Sequence, residues 1–197
     1  MIDSRSFYAW FFRSRLDQEL LRGVKLGQTD QVATLIRKGA RIETSDTLII
    51  RFKGGDNRIS GYRPLMWAAR KGLIEIMDIL LKAGAEVQAR NEWSRTALME
   101  AVAESQSLAA SFLIEHGAQV NDCDYSGRTV LMQSLYSADP EMVKNIIEAG
   151  ARLHEYTINI GTALNLAHSV GNKDMVRILE EAGAEMIDWD DLYEAPP

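Results

Sequence analysis

An all-α solenoid of about five stacked helix-turn-helix units is the fold class this sequence predicts, and three observations carry it. Five Gly-Ala pairs punctuate the chain, at Gly39-Ala40, Gly84-Ala85, Gly117-Ala118, Gly150-Ala151 and Gly183-Ala184, with spacings of 45, 33, 33 and 33 residues. Between them, apolar residues recur in pairs one helical turn apart. A short opening motif repeats in register, as Arg95-Thr96-Ala97-Leu98-Met99 and Arg128-Thr129-Val130-Leu131-Met132. A fixed period in the range of roughly 20–50 residues marks one supersecondary unit stacked on copies of itself. Such an array offers a long surface rather than a deep pocket.

The whole chain, 1–197, reads as one repeat domain. Residues 1–16 form an aromatic extension, in which Phe7, Tyr8, Trp10, Phe11 and Phe12 are expected to cover the exposed side of the first unit as an extra helix, with a free sticky arm as the alternative. This apolar run is short for a signal sequence and leads into Arg13 and Arg15 without a small-residue cleavage site, so it is not read as one. Residues 17–45 are a weaker copy of the unit and form the N-terminal cap, built on Leu20-Leu21, Val24, Val32 and Leu35-Ile36. Residues 46–61 are an insertion that explains the long first spacing. There Thr47 to Lys53 and Arg58 to Ser60 flank Gly54-Gly55-Asp56-Asn57, a strand-turn-strand signal that predicts a lengthened β-hairpin finger. Ile49, Ile50 and Phe52 would be costly to expose, which suggests an arm that grips a partner, against the plainer reading of a tolerated loop.

Residues 62–160 hold three internal repeats. Each opens at Arg63-Pro64-Leu65-Met66 or its equivalents and continues with small inward residues such as Ala68-Ala69 and Ala101-Val102, which let helices approach closely. The second helices carry Ile76-Met77 with Leu80-Leu81, Ala109-Ala110 with Leu113-Ile114, and Met142-Val143 with Ile146-Ile147. Each ends at the Gly of Gly-Ala, which can take the left-handed conformation. Residues 161–187 form the C-terminal cap repeat. The series Leu81, Ile114, Ile147 ends there in Glu180, and Met66, Met99, Met132 ends in Asn165, as expected where a stack meets water. Residues 188–197, Asp188-Trp189-Asp190-Asp191-Leu192-Tyr193-Glu194-Ala195-Pro196-Pro197, are an acidic-aromatic tail, read as a frayed end or as a short motif for another protein.

This pattern resembles the ankyrin repeat. The family's Thr-Pro-Leu-His opening stands here as Thr-Ala-Leu-Met or Thr-Val-Leu-Met, and its Gly-Ala-Asp-Val-Asn close as Gly117-Ala118-Gln119-Val120-Asn121. The likeness extends over about residues 17–187. The family's His is replaced by Met66, Met99, Met132 or Asn165, which removes the hydrogen bond that it makes to the loop backbone.

Composition limits the remaining possibilities. The chain is 46% apolar and 25% charged, with enough apolar mass for a sizeable core. Its one cysteine, Cys123, excludes an intramolecular disulfide and suits a reducing compartment, so a cytoplasmic location is expected. There is no run of about 18 apolar residues. A net charge of −6 argues against nonspecific nucleic-acid binding. His116, His154 and His168 stand at no ligand spacing, and no nucleophile elbow, paired-Cys motif or phosphate loop occurs. We therefore expect no enzyme activity, metal or cofactor.

The resemblance implies a concave groove lined by hairpin tips and first helices. The residues placed there are Ile50, Phe52, Tyr62, Arg70, Lys71, Arg90, Glu92, Trp93, Arg95, Tyr125, Arg128, Tyr136 and Tyr156. Trp, Tyr and Arg concentrate binding energy at interfaces. Arg58 and Arg63 join Arg70, Lys71, Arg90, Arg95 and Arg128, which predicts a basic groove on an acidic body and an acidic protein partner. The function expected is non-catalytic protein binding, by a monomer or weak homo-oligomer, with an inhibitor or immunity-type protein as one form. The alternatives are nucleic-acid binding through the basic groove and a self-assembling scaffold.

Overall fold

The Gly-Ala period is a helix-closing device. In the computed structural model, Gly39, Gly84, Gly117, Gly150 and Gly183 have φ of 91°, 94°, 88°, 90° and 86°, the left-handed region that a Cβ disfavours. At each, the glycine N–H bonds back three residues and the following alanine N–H bonds back five, as in Gly117 N to Ile114 O at 3.0 Å and Ala118 N to Leu113 O at 2.9 Å. This paired bonding satisfies carbonyls that the helix end leaves free. It also turns the alanine inward, where Ala40, Ala118 and Ala184 are buried.

The structure describes residues 4–52, 55–137 and 139–187, with the backbone alone for 4–13, 47–52 and 55–59. Among these, ten helices follow one another in pairs: α1 (Ser4–Leu26) and α2 (Thr29–Arg37), α3 (Pro64–Arg70) and α4 (Ile74–Lys82), α5 (Ala97–Ala103) and α6 (Ser107–Glu115), α7 (Val130–Ser134) and α8 (Pro140–Glu148), α9 (Ala163–Val170) and α10 (Lys173–Glu181). First helices pack on first helices in the row α1, α3, α5, α7, α9, and second helices form a parallel row. Ala68, Ala69, Ala101, Val102 and Ala167 fill the first row, and Ile76, Met77, Leu80, Leu113, Val143, Ile146 and Leu179 fill the space between rows. Thr96, Thr129 and Thr162 cap their helices by accepting from Met99 N, Met132 N and Asn165 N, which explains the recurring Thr of the opening motif.

Three features correct the sequence reading. First, α1 runs unbroken through the boundary placed between residues 16 and 17, because nothing from Ser4 to Arg22 interrupts a helix and the first left-handed residue is Gly27, φ 69°. The aromatic segment is therefore the front of the first unit's own helix, not an added one; the side chains of Phe7 to Phe12 lie outside the described residues. Asp17, on the same helix, is buried and accepts from Arg41 N and Arg41 Nε, both at 2.7 Å, which ties the incoming loop to α1.

Second, the second strand of the hairpin begins three residues earlier than its Gly-Gly-Asp-Asn signal suggests. Strands β1 (Asp46–Phe52) and β2 (Gly55–Tyr62) pair antiparallel with Phe52 opposite Gly55, Arg51 opposite Asp56 and Ile50 opposite Asn57. Gly55, Asp56 and Asn57 thus belong to the strand.

Third, Asn165 is not a solvated end residue. Its side chain accepts from Thr162 N, closing a capping box. It also accepts from Ile187 N at 3.0 Å and donates to Ile187 O at 3.1 Å, holding the outgoing chain against α9. Glu180, by contrast, is exposed at the end of the stack. Glu180→Leu is therefore expected to change unfolding free energy by no more than about 0.5 kcal/mol in a denaturant titration.

One glycine holds the hairpin to the stack. Gly61 has φ 82°, and a Cβ there would lie 3.2 Å from Asn91 Cα and 3.3 Å from Glu92 N, both backbone atoms. Gly61→Ala combines left-handed strain with crowding that no rotamer relieves, so urea unfolding should show a loss of about 1–3 kcal/mol.

Candidate binding surface

Two short fingers follow α4 and α6, and one carboxamide and one carboxylate build them. In the first, Asn91 Oδ1 accepts from Trp93 N and Arg95 N, each at 3.0 Å, while Ser94 N reaches Asn91 O. In the second, Asp124 Oδ1 accepts from Ser126 N at 2.9 Å and Arg128 N at 3.1 Å, and Gly127 N reaches Asp124 O. Asn and Asp are suited to this because their short side chains imitate a backbone acceptor. The fingers are then joined in series: Glu92 N donates to Ser60 O of the hairpin at 3.1 Å, and Tyr125 N donates to Trp93 O at 2.9 Å.

Large side chains are exposed on these fingers and on the loops that follow α7 and α8. Trp93 is 41% exposed, Tyr125 87% and Tyr156 51%, with Tyr136 on the groove side beyond α7. Ile158, 77% exposed on the loop between α8 and α9, was not anticipated. Its signal was an apolar residue two positions beyond Tyr156 in a loop. Between the first two fingers lies a recess of about 510 Å³ lined by Glu92, Trp93, Arg95, Asp124, Tyr125, Ser126 and Arg128.

Several expected groove residues are elsewhere. Tyr62 is 1% exposed and packs against Trp67 in the core, its ring tilted 43° to the indole with centres 5.1 Å apart. Burial first, and then the charge of its hydrogen-bond partner Glu100, push its hydroxyl pKa far above the ordinary tyrosine value. Lys71 is exposed, but at the turn after α3, beside Leu26, Gly27 and Gln106. Ile50, Phe52 and Arg58 have side chains outside the described residues.

The basic groove is largely neutralised, because the period that gathers arginines also gathers acids. Arg63 Nε pairs with Glu43 at 3.0 Å, and Arg90 Nη2 with Asp122 at 2.6 Å. Arg70 and Arg95 converge on Glu100, at 3.0 and 2.6 Å, and Arg70 also meets Glu104. Burial alone would lower the Arg70 pKa, but Glu100 and Glu104 outweigh it and raise the value. Arg95 further donates to Met99 O at 3.2 Å and Gln133 at 3.5 Å. Glu100 is 0% exposed and is the centre of this clamp. Its position at the fourth residue of α5 gave no hint of that role.

Arg128 stands apart. No carboxylate pairs with it among the described residues; its guanidinium carbon lies 5.3 Å from the centre of the Tyr136 ring, and its Nε is buried without a hydrogen-bond partner. A recess of about 720 Å³ between α1 and residues 41–46 is larger, yet its Arg41 and Lys25 are already paired with Asp17 and Asp46. No described helix is long and apolar enough to cross a membrane. Compared with known families, residues 65–157 match the sequence model described as ankyrin repeats (3 copies).

Proposed function

Residues 65–157 of this chain are ankyrin repeats, modules that generally mediate protein–protein interaction, and from that premise we propose that it binds a partner protein, without catalysis, through the finger tips and the groove beneath them. The observation that carries this reading is the exposure of Trp93 and Tyr125 on finger backbones that neighbouring fingers hold in place, with Tyr156 exposed on the loop after α8. Exposed aromatics on a rigid support bring large contact area with few rotamers to freeze. With Arg63, Arg70, Arg90 and Arg95 each neutralised by an acid of the chain, a nucleic acid finds little cationic track to follow. Cys123, free and exposed, fits a reducing compartment such as the cytoplasm.

The test compares full-length protein with the Trp93→Ala/Tyr125→Ala double variant as bait. Proteins retained by the first and released by the second, and then shown to bind directly with purified components, support the reading. Retention that is indifferent to the two substitutions would exclude this surface.

A further inference from the structure

We propose that the recess between the first two fingers receives one carboxylate side chain, an Asp or Glu that the partner protein presents on an extended segment beside an apolar residue. This rests on the reading of the groove as a protein-binding surface and adds what the groove selects. Arg128 is the arginine of this face left without a carboxylate among the described side chains, and its buried Nε lacks an acceptor. An unmet buried donor is unfavourable, and a planar guanidinium is best satisfied by two oxygens held in a fork. The Tyr136 ring lies 5.3 Å from the guanidinium carbon, within cation–π range. Trp93 and Tyr125 supply the walls for an apolar neighbour of the acid.

The acids lining the recess explain why one carboxylate fits and a polyanion does not. Asp124 Oδ1 is occupied by Ser126 N, Ser126 Oγ and Arg128 N, and Glu92 Oε2 by Ser60 N at 3.2 Å. Neither pairs with Arg128, yet both keep negative charge at the rim, against a string of phosphates. A single carboxylate placed on Arg128 gives the guanidinium the acceptor that it lacks within the chain.

A displayed library of random decamer peptides, selected on the full-length protein, tests this. Peptides enriched on the wild type are expected to carry Asp or Glu next to an aromatic or aliphatic residue. For a selected decamer made synthetically, Arg128→Gln should weaken binding on the order of tenfold or more, as should replacing the peptide's acid by its amide. The two losses should not add when combined, because each removes the same contact. Thermal melting checks that Arg128→Gln folds, and Arg128→Lys, which keeps the charge and loses the fork, serves the same cycle if it does not. Groove-dependent decamers without an acid, or additive losses, overturn the carboxylate assignment and leave protein binding intact. Decamers that ignore Trp93→Ala/Tyr125→Ala, or no enrichment at all, overturn both.

Discussion

Replacing Glu100 with alanine is expected to lower stability by about 3–5 kcal/mol, the range seen when one member of a buried ion pair is removed and its partner is left uncompensated. Glu100 is fully buried, with Arg70 Nη1 at 3.0 Å and Arg95 Nε at 2.6 Å on its two oxygens. Both arginines keep some contact with water, which places the effect toward the lower end of that range. A chain of this size loses roughly 2–4 °C of Tm per kcal/mol, so a fall of about 6 °C or more should appear in a thermal melt followed by circular dichroism. Two further points make the clamp more than a local contact. Arg70 lies on α3, Glu100 on α5, Arg95 on a finger, and Arg95 also reaches Gln133 on α7, so one carboxylate joins three successive units. Arg95→Ala should therefore destabilise in the same direction and by a comparable amount. A Glu100→Ala melt that matches wild type would show that the arginines re-pair elsewhere and that the clamp is dispensable.

The Trp93→Ala/Tyr125→Ala variant should show the opposite profile. Partner affinity is expected to fall by about 2 kcal/mol or more, roughly thirtyfold, the threshold at which interface residues count as dominant. Stability should move by no more than about 0.5 kcal/mol. The side chains can be removed this cleanly because the finger is built by Asn91 and Asp124 and by main-chain bonds that alanine retains. Titration calorimetry beside a melting curve separates the two quantities. Equal losses of affinity and stability would mean that the aromatics hold the fingers rather than the partner. A variant that pairs Trp93→Ala with Arg95→Ala cannot make this distinction, since Arg95 belongs to the Glu100 clamp.

Particular residues show what the sequence disclosed and where it stopped. The Gly-Ala period was legible because it is local chemistry: one left-handed residue, followed by an alanine whose N–H bonds five residues back. The inward alanines and the apolar pairs were legible for the same reason. The charge of the groove was not, since an arginine's partner lies a period or so away, as with Arg70 and Glu100, 30 residues apart. Counting arginines on one face without the acids one unit on produced a basic groove that ion pairing largely cancels. Reading each arginine against positions about 30 residues onward would have found Glu100, Glu104 and Asp122. Tyr62 looked like a tip residue, but Gly61 turns the chain so that its ring enters the core. The continuous α1 was missed because a change of composition near residue 16 was read as a break, although no residue there breaks a helix.

The fingers also bear on how this surface can change over evolutionary time. Every backbone N–H from Glu92 to Arg95 and from Tyr125 to Arg128 already donates to an acceptor within the chain. These amides are not free to capture an incoming strand, so under the proposed function discrimination at these two tips would rest mainly on side chains. A substitution at Trp93, Tyr125 or Ser126 would then alter what is recognised while the frame that presents it stays the same. Such a surface can be redirected to a new target by a few point changes, without first solving the folding problem again.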